Sequence, residues 1–157
     1  MRRKDREVTA PAEIEAILQR AQVLRLALHN GDYPYLVPVN FGFRWEGEQL
    51  VLFFHSAPEG QKCSLLQKDP RLAFEVDGGH RLLPPDGEEA CTASFAYESA
   101  VGQGTAALAP EGEKAELLTA LLAHYGVTGK RFSPQVLGRT AVYKIYVKNI
   151  TAKRKNP

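Results

Sequence analysis

Between Val23 and His55 the chain passes through three β-like segments joined only by tight turns, and this succession narrows the choice of fold more than any other feature. Leu24, Leu26 and Leu28 alternate with Arg25 and Ala27, the period-two pattern of a half-buried strand. Asn30-Gly31 supplies the positive-φ positions of a tight hairpin. Tyr35 to Trp45 is extended and rich in Val, Tyr and Phe. Glu46-Gly47-Glu48 then turns the chain into Gln49 to His55, whose near-continuous apolarity predicts burial on both faces. Strands that follow one another without crossover helices argue antiparallel pairing.

The remaining segments extend the pattern. Gln61 to Lys68 reads as a short helix stopped by Asp69-Pro70. Arg71 to Asp77 is a fourth strand ended by Gly78-Gly79, and His80 to Ala90, with Pro84-Pro85-Asp86-Gly87, is a polar loop. Cys91 to Ala109 is one long strand or two in line, with Gly102 and Gly104 marking a strong bend, as at a barrel corner. Ala141 to Val147 is the last strand. Two amphipathic helices flank these, one from Pro11 with Ile14, Ile17, Leu18 and Ala21 on its apolar face, the other from Glu111 to Tyr125 with Leu117, Leu118, Leu121 and Leu122. About six strands and three helices give a mainly β (α+β) fold, with the bent fifth strand arguing closure into a barrel.

With 157 residues, 44% of them hydrophobic, the chain makes one domain, residues 1–157. A net charge of +2 provides no global field for nucleic acid. The basic runs Met1-Arg2-Arg3-Lys4 and Lys153-Arg154-Lys155 read as solvated tails. No apolar run is long enough to span a bilayer, and Asp5, Glu7 and Pro11 stand where a signal core would be apolar, so a cytoplasmic protein is expected. Cys63 and Cys91 lack metal or disulfide spacing, with Cys63 read as a packing residue. His29, His55, His80 and His124 are scattered, so no metal site is expected. His124 reads as a helix-end residue facing the negative end of the dipole.

His55 to Lys62 places a His, a Ser, a Gly and a Lys where a strand hands over to a helix, and backbone N–H groups at such a helix start can hold an anion. Pro38 cannot donate to a sheet ladder, so it implies an edge, a bulge, or a ligand lying alongside. Asn40, a polar residue on a buried-looking strand, fits either a ligand contact or a bulge. His55 fits a phosphate donor, a proton source or an ordinary strand-end histidine. Tyr97 and Ser99 share a strand face and suit a site or an interface.

The strand Tyr35 to Phe43, the elbow His55-Ser56-Ala57 with Gly60 and Lys62, and the run Tyr97-Glu98-Ser99-Ala100-Val101-Gly102-Gln103-Gly104 together resemble the pyridoxamine 5′-phosphate oxidase-related, FMN-binding split-barrel proteins, in particular their nitroimidazole-resistance branch. The resemblance runs from about Arg3 to Arg154. It implies a six-stranded antiparallel Greek-key split barrel with peripheral helices, and a homodimer with an FMN site at its interface. FAD or haem are the alternative ligands. It further implies that Val37, Pro38, Val39, Asn40 and Phe41 run beside the flavin ring, with the Asn40 amide at its N5 or O4 edge. His55, Ser56, Gln61 and Lys62 would lie at the ribityl phosphate, and Tyr97, Ser99 and Val101 would approach the partner's flavin. The expected function is an oxidoreductase acting on a small acceptor such as a nitroaromatic, with His55 as its catalytic residue, or else a binding module without turnover. The oxidase itself carries an Arg-Lys pair where this chain has Gln61-Lys62, which removes a bidentate phosphate contact. No counterpart of the oxidase's C-terminal substrate-binding segment is present, so pyridoxamine phosphate oxidation is not the expected reaction.

Overall fold

A computed structural model describes residues 3–85 and 87–156. Its elements are β1 (Glu7–Val8), α1 (Pro11–Arg20), β2 (Leu24–Leu28), β3 (Tyr35–Val39), β4 (Phe41–Glu46), β5 (Gln49–Ser56), α2 (Gln61–Lys68), β6 (Arg71–Leu83), β7 (Ser94–Leu108), α3 (Lys114–His124), α4 (Pro134–Gly138) and β8 (Ala141–Lys155). The sheet runs β3-β2-β6-β7-β8-β5-β4, all neighbours antiparallel, with β1 added to β8.

The two ends of that order, β3 and β4, are consecutive in the chain and separated by Asn40 alone. The sheet must therefore curl until its edges meet at this residue, and part there. Eight strands replace the expected six because the segment Tyr35 to Trp45 divides at Asn40, and because the two-residue β1 is added. The first half pairs with β2 and the second with β5. With β3 and β4 taken as one bent strand, the first three strands form a meander and β6 returns to lie beside β2, which is Greek-key connectivity. The fold is a mainly β, antiparallel split barrel.

One core fills the barrel, built from Leu24, Leu26 and Leu28 of β2, Leu50, Leu52 and Phe54 of β5, Phe74 and Val76 of β6, and Ile17 and Leu18 of α1. A second, smaller core lies outside it. There Phe53 and Val142 meet Leu117, Leu118 and Leu121 of α3. Alternate residues of β5 thus serve different cores, which accounts for its continuous apolarity. Gly42 permits this layer: a Cβ there would stand 2.4 Å from Cε2 of Phe53 and 3.1 Å from Cα of Leu121.

Two boundaries differ from expectation. The strand β6 continues past Gly78-Gly79 to Leu83, because Gly79, at φ +66°, takes up an irregularity between Gly78 and Arg81. The strand β8 is twice its expected length. Its register with β7 slips by one residue at Lys148, so the barrel-facing positions change from Tyr143, Ile145 and Val147 to Ile150 and Ala152, and a single alternation cannot be followed through it. Consequently Lys153-Arg154-Lys155 is strand, not tail: Arg154 pairs with Glu13 at 3.0 Å and Glu98 at 3.3 Å. At the other terminus Arg3 pairs with Asp5, while Met1 and Arg2, like Asp86 of the polar loop, lie outside the described residues.

Candidate functional site

The strand β5 ends at Ser56, and the chain bends through Ala57 to Gly60 before α2 begins. Gly60 adopts φ +124° and ψ 170°, a conformation that side chains disfavour. No side chain caps α2 and its first turn holds no acid, so the N–H groups at its positive end have no side-chain acceptor. Lys62 lies in this turn, half-buried, with Nζ 5.3 Å from the centroid of the Phe54 ring. Burial pushes its pKa below the usual lysine value. Among the described residues no carboxylate stands within ion-pair distance of it.

The elbow is fixed from beneath. Cys63 is buried and its thiol donates to the Ala57 carbonyl at 3.2 Å, with Sγ 3.6 Å from Oγ of Ser56. Phe54 stacks on Tyr143 at 5.3 Å between centroids, and burial followed by the Cys63 contact pushes the Tyr143 phenol well above its ordinary pKa. His55 follows Phe54 on the exposed side. Its contact with the protein body, and then the charge on Lys62, push its pKa below the ordinary histidine value. By strand alternation Ser56 shares the barrel side with Phe54, whereas His55 shares the side of Phe53. A group touching both must straddle the strand end.

The run Val37 to Phe41 reaches the same place through register, since Phe41 is opposite Phe54. Its residues differ in what they can offer. Val37 and Val39 pack against the barrel core, while Pro38 is exposed on the outer side opposite Arg25. Pro38 therefore marks an edge strand. Asn40 is exposed at the split and not on a buried strand, and no residue bonds its amide among those described. Phe41 is fully buried against His124 at 4.8 Å, and its N–H donates to the Tyr125 hydroxyl at 3.1 Å.

Tyr97, Ser99 and Val101 lie elsewhere in this chain, on the outer side of β7. Val101 occupies a row with Glu75, Arg25 and Pro38, three strand spacings or roughly 14 Å from Pro38. Leu36, Phe95 and Val101 are 65%, 57% and 50% exposed on this uncovered side. Gln61 is exposed at the start of α2.

Two supporting residues escaped the sequence reading. Gly42 stands alone among bulky neighbours, which is the signal of a close approach. Tyr125 joins the Phe41 N–H to the Gln22 carbonyl. Cys63 does pack, but on the elbow itself. His124 bonds the Ala21 carbonyl through Nε2 at 2.8 Å, so it ties α3 to the end of α1. Among the described residues, no helix is long and apolar enough to cross a membrane and no cluster of three His, Cys, Asp or Glu could hold a metal.

Comparison with known proteins bears on this site. No curated protein sequence matches the chain. Among solved structures, a Bacteroides thetaiotaomicron protein provisionally called a 5-nitroimidazole antibiotic resistance protein is 28% identical at TM-score 0.79, over 94% of this chain and 85% of that one. An FAD and heme binding protein from Mycobacterium smegmatis aligns at TM-score 0.82 and 18% identity, over 97% of this chain and 74% of its own. The flavocytochrome Anf3 from Azotobacter vinelandii aligns at 0.80 and 16%, over 100% and 72%. These last two share the fold. The profile of the pyridoxamine 5′-phosphate oxidase family matches residues 10–154, and the chain belongs to that family.

Proposed function

We propose that the protein is a cytoplasmic, homodimeric, FMN-dependent oxidoreductase that reduces a small acceptor of the nitroaromatic class. The observation that carries this reading is Lys62: a half-buried cation in the uncapped first turn of a helix, without a carboxylate partner among the described residues. Such a constellation fits a phosphate monoester. It fits a neutral ligand poorly, since the N–H groups and the ammonium would then lack an acceptor.

In this reading Lys62, the first-turn N–H groups, Gln61 and Ser56 hold the phosphate, and Pro38 and Asn40 lie along the ring at the split. When bound, FMN supplies the redox chemistry. Asn40 offers one carbonyl and two N–H groups to orient a ring edge or a substrate. His55, whose lowered pKa leaves the imidazole neutral near pH 7, presents a ring nitrogen that takes a proton, and an anion beside Lys62 favours that protonated form. The exposed apolar residues around Val101 support a second copy on the outer side of β7, which would bring Tyr97, Ser99 and Val101 to the partner's site. The relative called a nitroimidazole resistance protein supports the choice of acceptor. Gln61, in place of an arginine, makes FMN a weakly held cofactor.

The test is anaerobic. FMN-loaded protein should lose its visible band on adding a nicotinamide donor and recover it on adding a nitroimidazole, with His55→Asn slowing recovery more than it weakens FMN binding. A band that never bleaches, or recovers no faster than free FMN under the same conditions, would remove the enzymatic reading.

A further inference from the structure

The end of α3 reaches the split of the barrel. The helix stops at His124, Tyr125 caps it, and Gly126, at φ +77°, turns the chain away. His124 and Tyr125 dock on two consecutive carbonyls that follow α1: Nε2 of His124 lies 2.8 Å from the Ala21 oxygen, and the Tyr125 hydroxyl donates to the Gln22 oxygen at 2.8 Å. The same hydroxyl accepts the Phe41 N–H at 3.1 Å. One donor and one acceptor position are thus both used, which fixes the direction of the hydroxyl.

These two partners stand on opposite sides of the split. Gln22 leads into β2, whose first residue, Leu24, is opposite Val39 at the end of β3. Phe41 opens β4 and is opposite Phe54 of β5. A single oxygen therefore ties the β2–β3 side to the β4–β5 side where the edges part, at Asn40.

The tie acts on Asn40 through the backbone. The Phe41 N–H belongs to the planar peptide unit that begins at Asn40, so holding that N–H sets the orientation of the unit. The Phe41 side chain is fully buried, with its ring 4.8 Å from that of His124, so this neighbour is held by side chain and main chain alike. Val39, the other neighbour, is held by its pairing with Leu24. Asn40 is thus an exposed amide between two fixed residues, with no hydrogen-bond partner for that amide among the described residues. A polar group held in place before its ligand arrives spends less of its interaction on ordering.

We infer that Tyr125 is a positioning residue, which holds Asn40 in place for the ring end of a bound flavin without touching the ligand itself. This inference rests on the flavin reading of the elbow and extends it to the opposite end of the ligand.

The experiment compares FMN and riboflavin binding, by fluorescence quenching, in the full-length chain and in Tyr125→Phe, each with Asn40 present and with Asn40→Ala. Tyr125→Phe should weaken both flavins by the same factor, about threefold to tenfold, the worth of one neutral hydrogen bond, and leave their ratio unchanged. In the Asn40→Ala background it should change either constant by less than about twofold, because two residues acting as a unit are not additive. Equal weakening in both backgrounds would assign Tyr125 a packing role alone and overturn the inference. So would an unchanged affinity, or a loss confined to FMN, which would place the effect at the phosphate. A parent chain that binds neither flavin would instead remove the flavin reading, and this inference with it. The unaltered chain gives a second test should the variant not fold: FMN should slow hydrogen exchange at the Phe41 amide, since the ligand and Tyr125 hold the same peptide unit. Exchange unchanged by saturating FMN would overturn the inference.

Discussion

Replacing Lys62 with Ala isolates the phosphate contact. A unit charge about 4 Å from a phosphate charge, in surroundings of effective dielectric about 20, interacts by about 4 kcal/mol. Exchange with water reduces the net value of such a charge-assisted bond to about 1.5–3 kcal/mol. Among the described residues no carboxylate has to be displaced from Lys62 first, so none of that is lost to breaking such an ion pair. The FMN dissociation constant should then rise between about tenfold and about 150-fold. Riboflavin, which lacks the phosphate, should change by less than about twofold. The fold should survive, because the contact with Phe54 is worth only about 0.5–1 kcal/mol. Lys62→Met, which keeps the hydrocarbon stem over Phe54, controls for that loss. The assay is quenching of flavin fluorescence by each protein with each ligand. Equal weakening of FMN and riboflavin would show that Lys62 supports the pocket through packing and does not contact phosphate.

Further consequences concern protons and packing. Because His55 binds its proton less tightly in the folded state, the unfolded chain holds more protons below about pH 6.5, and thermal stability should fall as pH drops through that value. His55→Asn should flatten this part of the profile, and an unchanged slope would show that another group carries it. Added FMN should move the His55 titration, read by NMR at the ring protons, to higher pH, whereas no movement would separate His55 from the phosphate. Glu98 shows the opposite linkage: its hydrogen bond to Arg20 holds its pKa down, so its contribution is present above about pH 4.5 and lost as pH falls further. Glu98→Ala should cost about 1–2 kcal/mol in urea unfolding at neutral pH, less than a fully buried pair because Arg20 is half exposed. Gly42→Ala should cost about 1–3 kcal/mol by forcing Phe53 against α3, and a neutral result would mean that the helix moves aside freely.

The sequence revealed much of this architecture where periodicity was unbroken. The leucines of β2 and the continuous apolarity of β5 translate directly into one-faced and two-faced burial. It was silent where the backbone changes phase. The division at Asn40 is marked only by Pro38 and Asn40, each open to more than one reading, because both halves are equally rich in β-formers, and the extra residue at Lys148 reverses the alternation that would have extended β8. The elbow was legible through Gly60 and Lys62, whose chemistry is local. Cys63 under Ser56 and Tyr125 on the Phe41 N–H were not, since each joins segments whose approach depends on the closed barrel. The continuation of β6 was hidden for a similar reason: Gly78-Gly79 looks like the end of a strand, and in the folded chain it is a bulge within one.

The central claim is that the elbow at the start of α2 is a phosphate site for a flavin. Equilibrium dialysis of the full-length protein against FMN and against riboflavin tests it most directly. One FMN per chain is expected, with riboflavin held at least about tenfold more weakly, as the loss of a charge-assisted contact requires. Absence of saturable FMN binding, or equal affinity for the two flavins, would contradict it.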